Sequence, residues 1–203
     1  MAATTTMPAR PLSPALLVFL AAAVVLAGGH HAALASSVED TCAKACGTPG
    51  PDVPANLESF CVASLQAAPG SNGADARGLA TVATNLTLAN YTAAVATIKK
   101  LEKSGGWTAP AMGALATCRR RYIEALNVVH SCVHALAVRK YEDYVADMGV
   151  VRSAPVDCKK AFGSGGGGNG VGKAAASPAD EMRKVNEDAM LLATVGIQIV
   201  KSL

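Results

Sequence analysis

The sequence predicts an all-α protein, an up-down-up-down four-helix bundle with an N-terminal helical hairpin, stabilised by disulfides. Three observations lead there. Four long segments carry apolar residues at spacings of three and four, as helices do when they bury one stripe. Aromatic residues make up only 4% of the chain while alanine is abundant, a mix that favours close-packed helices over a sheet. Six cysteines all follow a cleavable leader, so they face an oxidising compartment and are read first as disulfides.

Residues 1–35 have the anatomy of that leader, a secretory signal peptide. Arg10 supplies the positive start, Leu16 to Ala27 the apolar run, and Ala33-Leu34-Ala35 the small-x-small cleavage pattern. The apolar run ends at Gly28-Gly29, short of the ~20 residues that span a bilayer. No membrane association is therefore expected after cleavage. The remainder, 36–203, has the size of one domain. The whole chain holds 18 basic and 15 acidic residues, and the leader removes only Arg10. The mature protein is thus nearly neutral and lacks the basic excess of a nucleic-acid binder.

A hairpin is expected over 36–69. Ser37 to Cys46 forms a short helix, and the glycines and prolines between Gly47 and Pro54 end it. Asn56 to Ala67 forms a second helix, closed by Pro69-Gly70-Ser71-Asn72-Gly73. Cys61 staples this pair to one of the earlier cysteines, Cys42 or Cys46.

The bundle is expected over 74–203. Its first helix, about Ala74 to Ser104, aligns Leu79, Val82, Leu86, Ala89 and Ala93 before drifting toward Ile98 and Leu101, and Gly105-Gly106 ends it. The second, about Pro110 to Lys140, aligns Met112, Leu115, Tyr122, Leu126, Val129, Val133 and Leu136. The third, about Tyr141 to Phe162, carries Tyr144, Met148, Val151 and Cys158. Pro155 should kink it, because proline has no N–H for the preceding turn. The last begins at Ser177-Pro178-Ala179-Asp180, a cap hydroxyl, a proline at the first helical position and an acid three residues on. Met182, Val185, Ala189, Leu192, Gly196, Ile199 and Leu203 then mark a bundle seam.

No grouping of residues nominates a catalyst. Gly167 to Lys173 satisfies G-x-x-x-x-G-K, but Ala174 replaces the magnesium-binding Ser/Thr and no strand precedes it, so a flexible linker is the better reading. His130 and His134 lie four apart without a further mature histidine or a zincin-type glutamate, and no metal site is assigned. Arg119-Arg120-Arg121 point in three directions on a helix and read as a solvated face. There is no G-x-S-x-G, and the few, scattered acidic residues nominate no carboxylate pair for glycoside hydrolysis, so neither catalytic residues nor cofactors are expected. Asn85-Leu86-Thr87 and Asn90-Tyr91-Thr92 are glycan acceptor sequons. Asn90 lies nearer the apolar stripe, which favours Asn85.

Several stretches together resemble the plant invertase and pectin methylesterase inhibitor family. Thr41-Cys42-Ala43-Lys44 is similar to its opening T-C segment, and Phe60-Cys61-Val62-Ala63-Ser64-Leu65 to its second cysteine stretch. Ala114-Leu115-Ala116-Thr117-Cys118, Tyr122 and Glu124-Ala125-Leu126 resemble its A-L-x-x-C-x-x-x-Y-x-x-A-L pattern. Tyr141-Glu142-Asp143 and Cys158-Lys159-Lys160-Ala161-Phe162 resemble its Y-x-D and C-x-x-A-F stretches. The resemblance spans about Val38 to Leu203. It implies a hairpin on a four-helix bundle with two bonds, which by position are Cys42–Cys61 and Cys118–Cys158. Cys46 and Cys132 are additional to the family pattern, either as an extra disulfide or as free thiols, and Cys46 competes with Cys42 for Cys61. The proline-rich stretch before Cys61 is also longer than usual.

The resemblance implies a secreted protein of the apoplast and cell wall that does no chemistry itself and inhibits one of two wall enzymes. The partner is pectin methylesterase, bound reversibly across its substrate cleft, or acid invertase. The invertase inhibitors present a Pro-Lys-Phe element that this chain lacks, which favours pectin methylesterase. The contact residues are not legible. A helical lipid carrier is the alternative of another class, and it requires an internal cavity.

Overall fold

A computed structural model describes residues 37–163 and 177–203. The proposed leader and the glycine-rich G-x-x-x-x-G-K stretch lie outside the described residues. Within them six helices follow one another: α1 Val38–Cys46, α2 Leu57–Gln66, α3 Ala76–Ser104, α4 Ala109–Ala137, α5 Tyr141–Gly163 and α6 Pro178–Lys201.

Local chemistry sets most of the ends. Ser37, Asp75, Thr108 and Ser177 each accept a backbone N–H from the first turn of α1, α3, α4 and α6, satisfying a donor that the helix cannot. Ser37 with Asp40, and Ser177 with Asp180, form reciprocal capping boxes. At the end of α3, Gly105 and Gly106 take φ of 68° and 78°, the left-handed region that glycine enters without strain. Trp107 Nε1 turns back to donate to the Leu101 carbonyl at 2.7 Å. Between α4 and α5, Lys140 N donates to Ala135 O and Arg139 N to Leu136 O, a Schellman closure. It forces Arg139 to φ 60°.

The helices α3, α4, α5 and α6 pack in a ring, each on its neighbour in sequence, with α6 closing against α3. This is the up-down-up-down arrangement. Leu79, Ile98, Leu115, Val129, Met148, Met182 and Ile199 fill the centre with Tyr91, Tyr122 and Tyr144, all fully buried. Burying a large aliphatic side chain contributes roughly 1.5–3 kcal/mol.

The α1–α2 pair lies against α6. That placement explains the second half of α6, where every residue from Leu191 to Ile197 is buried. One side faces the bundle and the other is covered by the hairpin. Lys44 Nζ ties the hairpin to the Ser202 carbonyl at 2.7 Å, and Asp52, in the proline-rich loop, pairs with Arg152 of α5 at 3.1 Å.

Two details depart from the sequence expectation. The core face of α3 runs through Ala80, Ala83, Thr84, Thr87, Tyr91, Ala94 and Val95, whereas Ala89 and Ala93 are exposed. Threonine enters this core because Thr84 and Thr87 donate their hydroxyls to the carbonyls of Ala80 and Ala83 on the same helix. Val133 and Leu203, placed on core stripes, are 39% and 47% exposed. Across Pro155, α5 is assigned as one helix from Tyr141 to Gly163.

Candidate partner-binding surface

The six cysteines divide into two bonds and two thiols. Cys42 of α1 is bonded to Cys61 of α2 across a Cα separation of 5.8 Å. Cys118 of α4 is bonded to Cys158 of α5, with the two backbones at 4.4 Å. Cys46 and Cys132 are unbonded and buried. Burial pushes the Cys46 thiol up to about 11, with the Glu58 charge adding to the effect. Burial likewise pushes Cys132 up to about 12, with Asp147 adding. A reactive cysteine needs a lowered pKa and solvent access, and neither thiol has them.

His130 and His134 are exposed while Cys132 between them faces the core, so the three do not converge on a metal. Among the described residues no group of three His, Cys, Asp or Glu side chains comes together. No helix among them is long and apolar enough to cross a membrane. Asn85 is exposed on α3. Asn90 is half-buried, and its Oδ1 is buried without a hydrogen-bond partner among the described residues.

The interior is cross-braced by phenols. Tyr91 donates to the Val151 carbonyl at 3.0 Å, and its ring meets that of Tyr122 with centroids 5.0 Å apart. Tyr122 donates to Asn186 Oδ1 at 2.8 Å. Tyr144 lies 2.9 Å from Thr84 Oγ1, whose own proton goes to Ala80 O, so Tyr144 is the donor. These bonds join α3 to α5 and α4 to α6 across both diagonals of the ring, which makes the bundle a stiff scaffold.

With the hairpin over α6, the outer side of α4 is left uncovered among the described residues. Along α4 and α5, Pro110, Gly113, Ala114 and Ala161 floor a shallow groove of about 480 Å³, edged by Thr117, Arg120, Arg121, Asp157 and Lys160. The small residues keep the floor low, and the Cys118–Cys158 bond holds its two walls together. The three arginines fan out as helical geometry requires. Arg119 reaches α3 and pairs with Glu102 at 3.0 Å. Arg121 reaches α5 and pairs with Asp157 at 3.3 Å, and also with Glu124 at 3.2 Å. Arg120, between them, makes no ion pair among the described residues. Sequence reasoning did not bring Lys160 to the arginines, since the two lie forty residues apart. Only a bond between Cys118 and Cys158 signals that they are neighbours.

A second groove, about 720 Å³, runs between the end of α5 and the start of α6. Pro155, Val156, Phe162, Ala179 and Met190 line it, with Lys159 and Arg183 at its rim.

Comparisons with known proteins agree with this architecture. No curated protein matches the chain. A crystal structure of mutant form A of a pectin methylesterase inhibitor from Arabidopsis superposes with a TM-score of 0.61 at 16% identity, covering 82% of this chain and 97% of that one. A crystal structure of a pectin methylesterase inhibitor from Arabidopsis thaliana gives 0.52 at 15% identity, covering 71% and 87%. At such identities the likeness shows a shared fold. The sequence itself matches the model of one family, described as plant invertase/pectin methylesterase inhibitor, over residues 36–197. A match of that length, on a bundle carrying the hairpin and both bonds, means that the chain belongs to the plant invertase/pectin methylesterase inhibitor family.

Proposed function

We propose that this protein is a secreted inhibitor of pectin methylesterase that binds reversibly over the enzyme's active-site cleft and so moderates pectin de-esterification in the cell wall. The family match over 36–197 carries this reading. A stiff surface suits the task, because a preformed face avoids the entropic cost of ordering on contact. The sides of two adjacent helices are enough for the ~800 Å² that each partner of a specific complex buries. The mechanism is occlusion and calls for no cofactor, metal or catalytic group. Secretion to the apoplast is supported by the family match beginning at residue 36 and by the compact unit that starts at Ser36, directly after Ala33-Leu34-Ala35.

The test is paired titration of purified pectin methylesterase and acid invertase with the protein. Stoichiometric loss of pectin methylesterase activity with invertase unaffected is the expected outcome. Inhibition of invertase alone reverses the assignment, and inhibition of neither removes it.

A further inference from the structure

We propose that the α4–α5 groove is a binding site for de-esterified pectin, a linear polymer with one carboxylate on each uronate. The choice of this ligand rests on the inhibitor reading above, since methyl-ester hydrolysis is the step that creates those carboxylates. The site itself rests on the structure. Arg120, Arg121 and Lys160 edge one groove, although the chain as a whole is nearly balanced in charge.

Arg120 makes no ion pair among the described residues. Arg121 is anchored by Asp157 and Glu124 through Nε and Nη1, which leaves guanidinium donors over for a further carboxylate. From Pro110 to Arg121 the helix rise of ~1.5 Å per residue makes the groove ~16 Å long. It is therefore an elongated trough rather than a pit for a single anion. Its floor of glycine, alanine and proline suits the C–H face of a sugar ring, while the cations at the rim take the carboxylates. Contacts between exposed charges are individually weak and screened by salt, so the ligand is held by several carboxylates together. The inhibitor is thereby retained on the pectin that its enzyme has already processed.

The test measures binding of the protein alone, by calorimetry or NMR, to an oligogalacturonate and to the same oligomer fully methyl-esterified. Saturable binding of the acid form, absent for the ester and lost at high salt, is expected. Both Arg120 and Lys160 are exposed, so R120E/K160E should fold, and it should weaken binding by about tenfold or more. Equal binding of the ester, or equal binding of polyglutamate, overturns the assignment. So does a wild-type protein that ignores uronates while R120E/K160E loses inhibition, because the cations would then serve a protein partner. No enzyme is present in the binding measurement, so its failure is separate from failure of the inhibitor reading. An inhibitor that binds no uronate sinks only this proposal, and a uronate binder that inhibits nothing sinks only the other.

Discussion

The Tyr91 hydroxyl donates to the carbonyl of Val151, and Val151 stands four residues before Pro155. In an unbroken α-helix that carbonyl would accept the N–H of residue 155, which proline does not have. A phenol from α3 therefore replaces the missing backbone donor of α5. The bond lets α5 carry a proline in its interior without leaving an orphaned buried carbonyl. Tyr91→Phe removes this donor and leaves the ring in place. Stability should fall by about 1–3 kcal/mol, read as a melting temperature several degrees lower. An unchanged melting curve would show that the carbonyl had found another partner.

Gly196 is the point where α6 passes closest to Tyr144. A Cβ at this position would lie 2.6 Å from the Tyr144 hydroxyl, which is fully buried and bonded to Thr84. Alanine gains about 1 kcal/mol of helix propensity over glycine, but displacing a buried phenol costs about 1–3 kcal/mol and breaks its hydrogen bond. Gly196→Ala should therefore destabilise the protein. In a Tyr144→Phe background the obstructing oxygen is gone, and the same substitution should become neutral or stabilising. Calorimetric unfolding of the four proteins checks this change of sign.

The two disulfides close loops of different length, with sequence separations of 19 and 40. Chain-entropy reasoning gives about 3 kcal/mol for the Cys42–Cys61 bond and about 4 kcal/mol for Cys118–Cys158. Replacing each pair by serine and following urea denaturation should rank them in that order. A larger loss on removing Cys42–Cys61 would contradict the entropic account.

Alkaline pH should unfold the protein. Burial is the leading cause that raises the phenols of Tyr91, Tyr122 and Tyr144 and the thiols of Cys46 and Cys132 above their ordinary values. A neutral group whose folded pKa is raised stabilises the fold fully below the unfolded pKa, and this is lost as pH climbs toward the folded value. The loss opens near 9.0 with the thiols and deepens above 10.0 with the phenols. In a spectroscopic titration, ionisation of these three tyrosines should coincide with loss of helical circular dichroism. Phenolate appearing while the helices persist would count against it.

Asn85 is the sequon expected to carry a glycan. Its side chain is exposed, whereas Asn90 is half-buried with its carbonyl oxygen inside. Thr87 of the favoured sequon is buried and bonded to Ala83 O, so transfer has to precede closure of α3. Peptide mass spectrometry should find the sugar at Asn85, and Asn85→Gln should abolish it. Occupancy confined to Asn90 would reverse the assignment.

The start of α6 was legible because Ser177, Pro178 and Asp180 act through contacts within one turn. The face of α3 was less so. Thr84, Thr87 and Tyr91 look polar in a list of residue types, yet each spends its hydroxyl on a carbonyl and turns the rest of its surface to the core. Placement of the hairpin on α6 was not legible either, since spacing shows that a stripe is apolar but not that two separate partners share one helix. The groove was hidden for the same reason. Arg120 and Lys160 meet only through the pairing of α4 with α5, and no local pattern in either helix records it.

The most enclosed helix of the fold is also the last of the six to be synthesised. Until α6 emerges, α3 and α5 have no neighbour to close the ring, and the α1–α2 pair lacks the helix on which it chiefly rests. The nascent chain must therefore hold an open, greasy trough while it waits for its keystone, the condition in which partly folded chains associate wrongly. Closure of the bundle accordingly waits for α6, and protection of the open ring until then should bear on yield more than the stability of the finished molecule does.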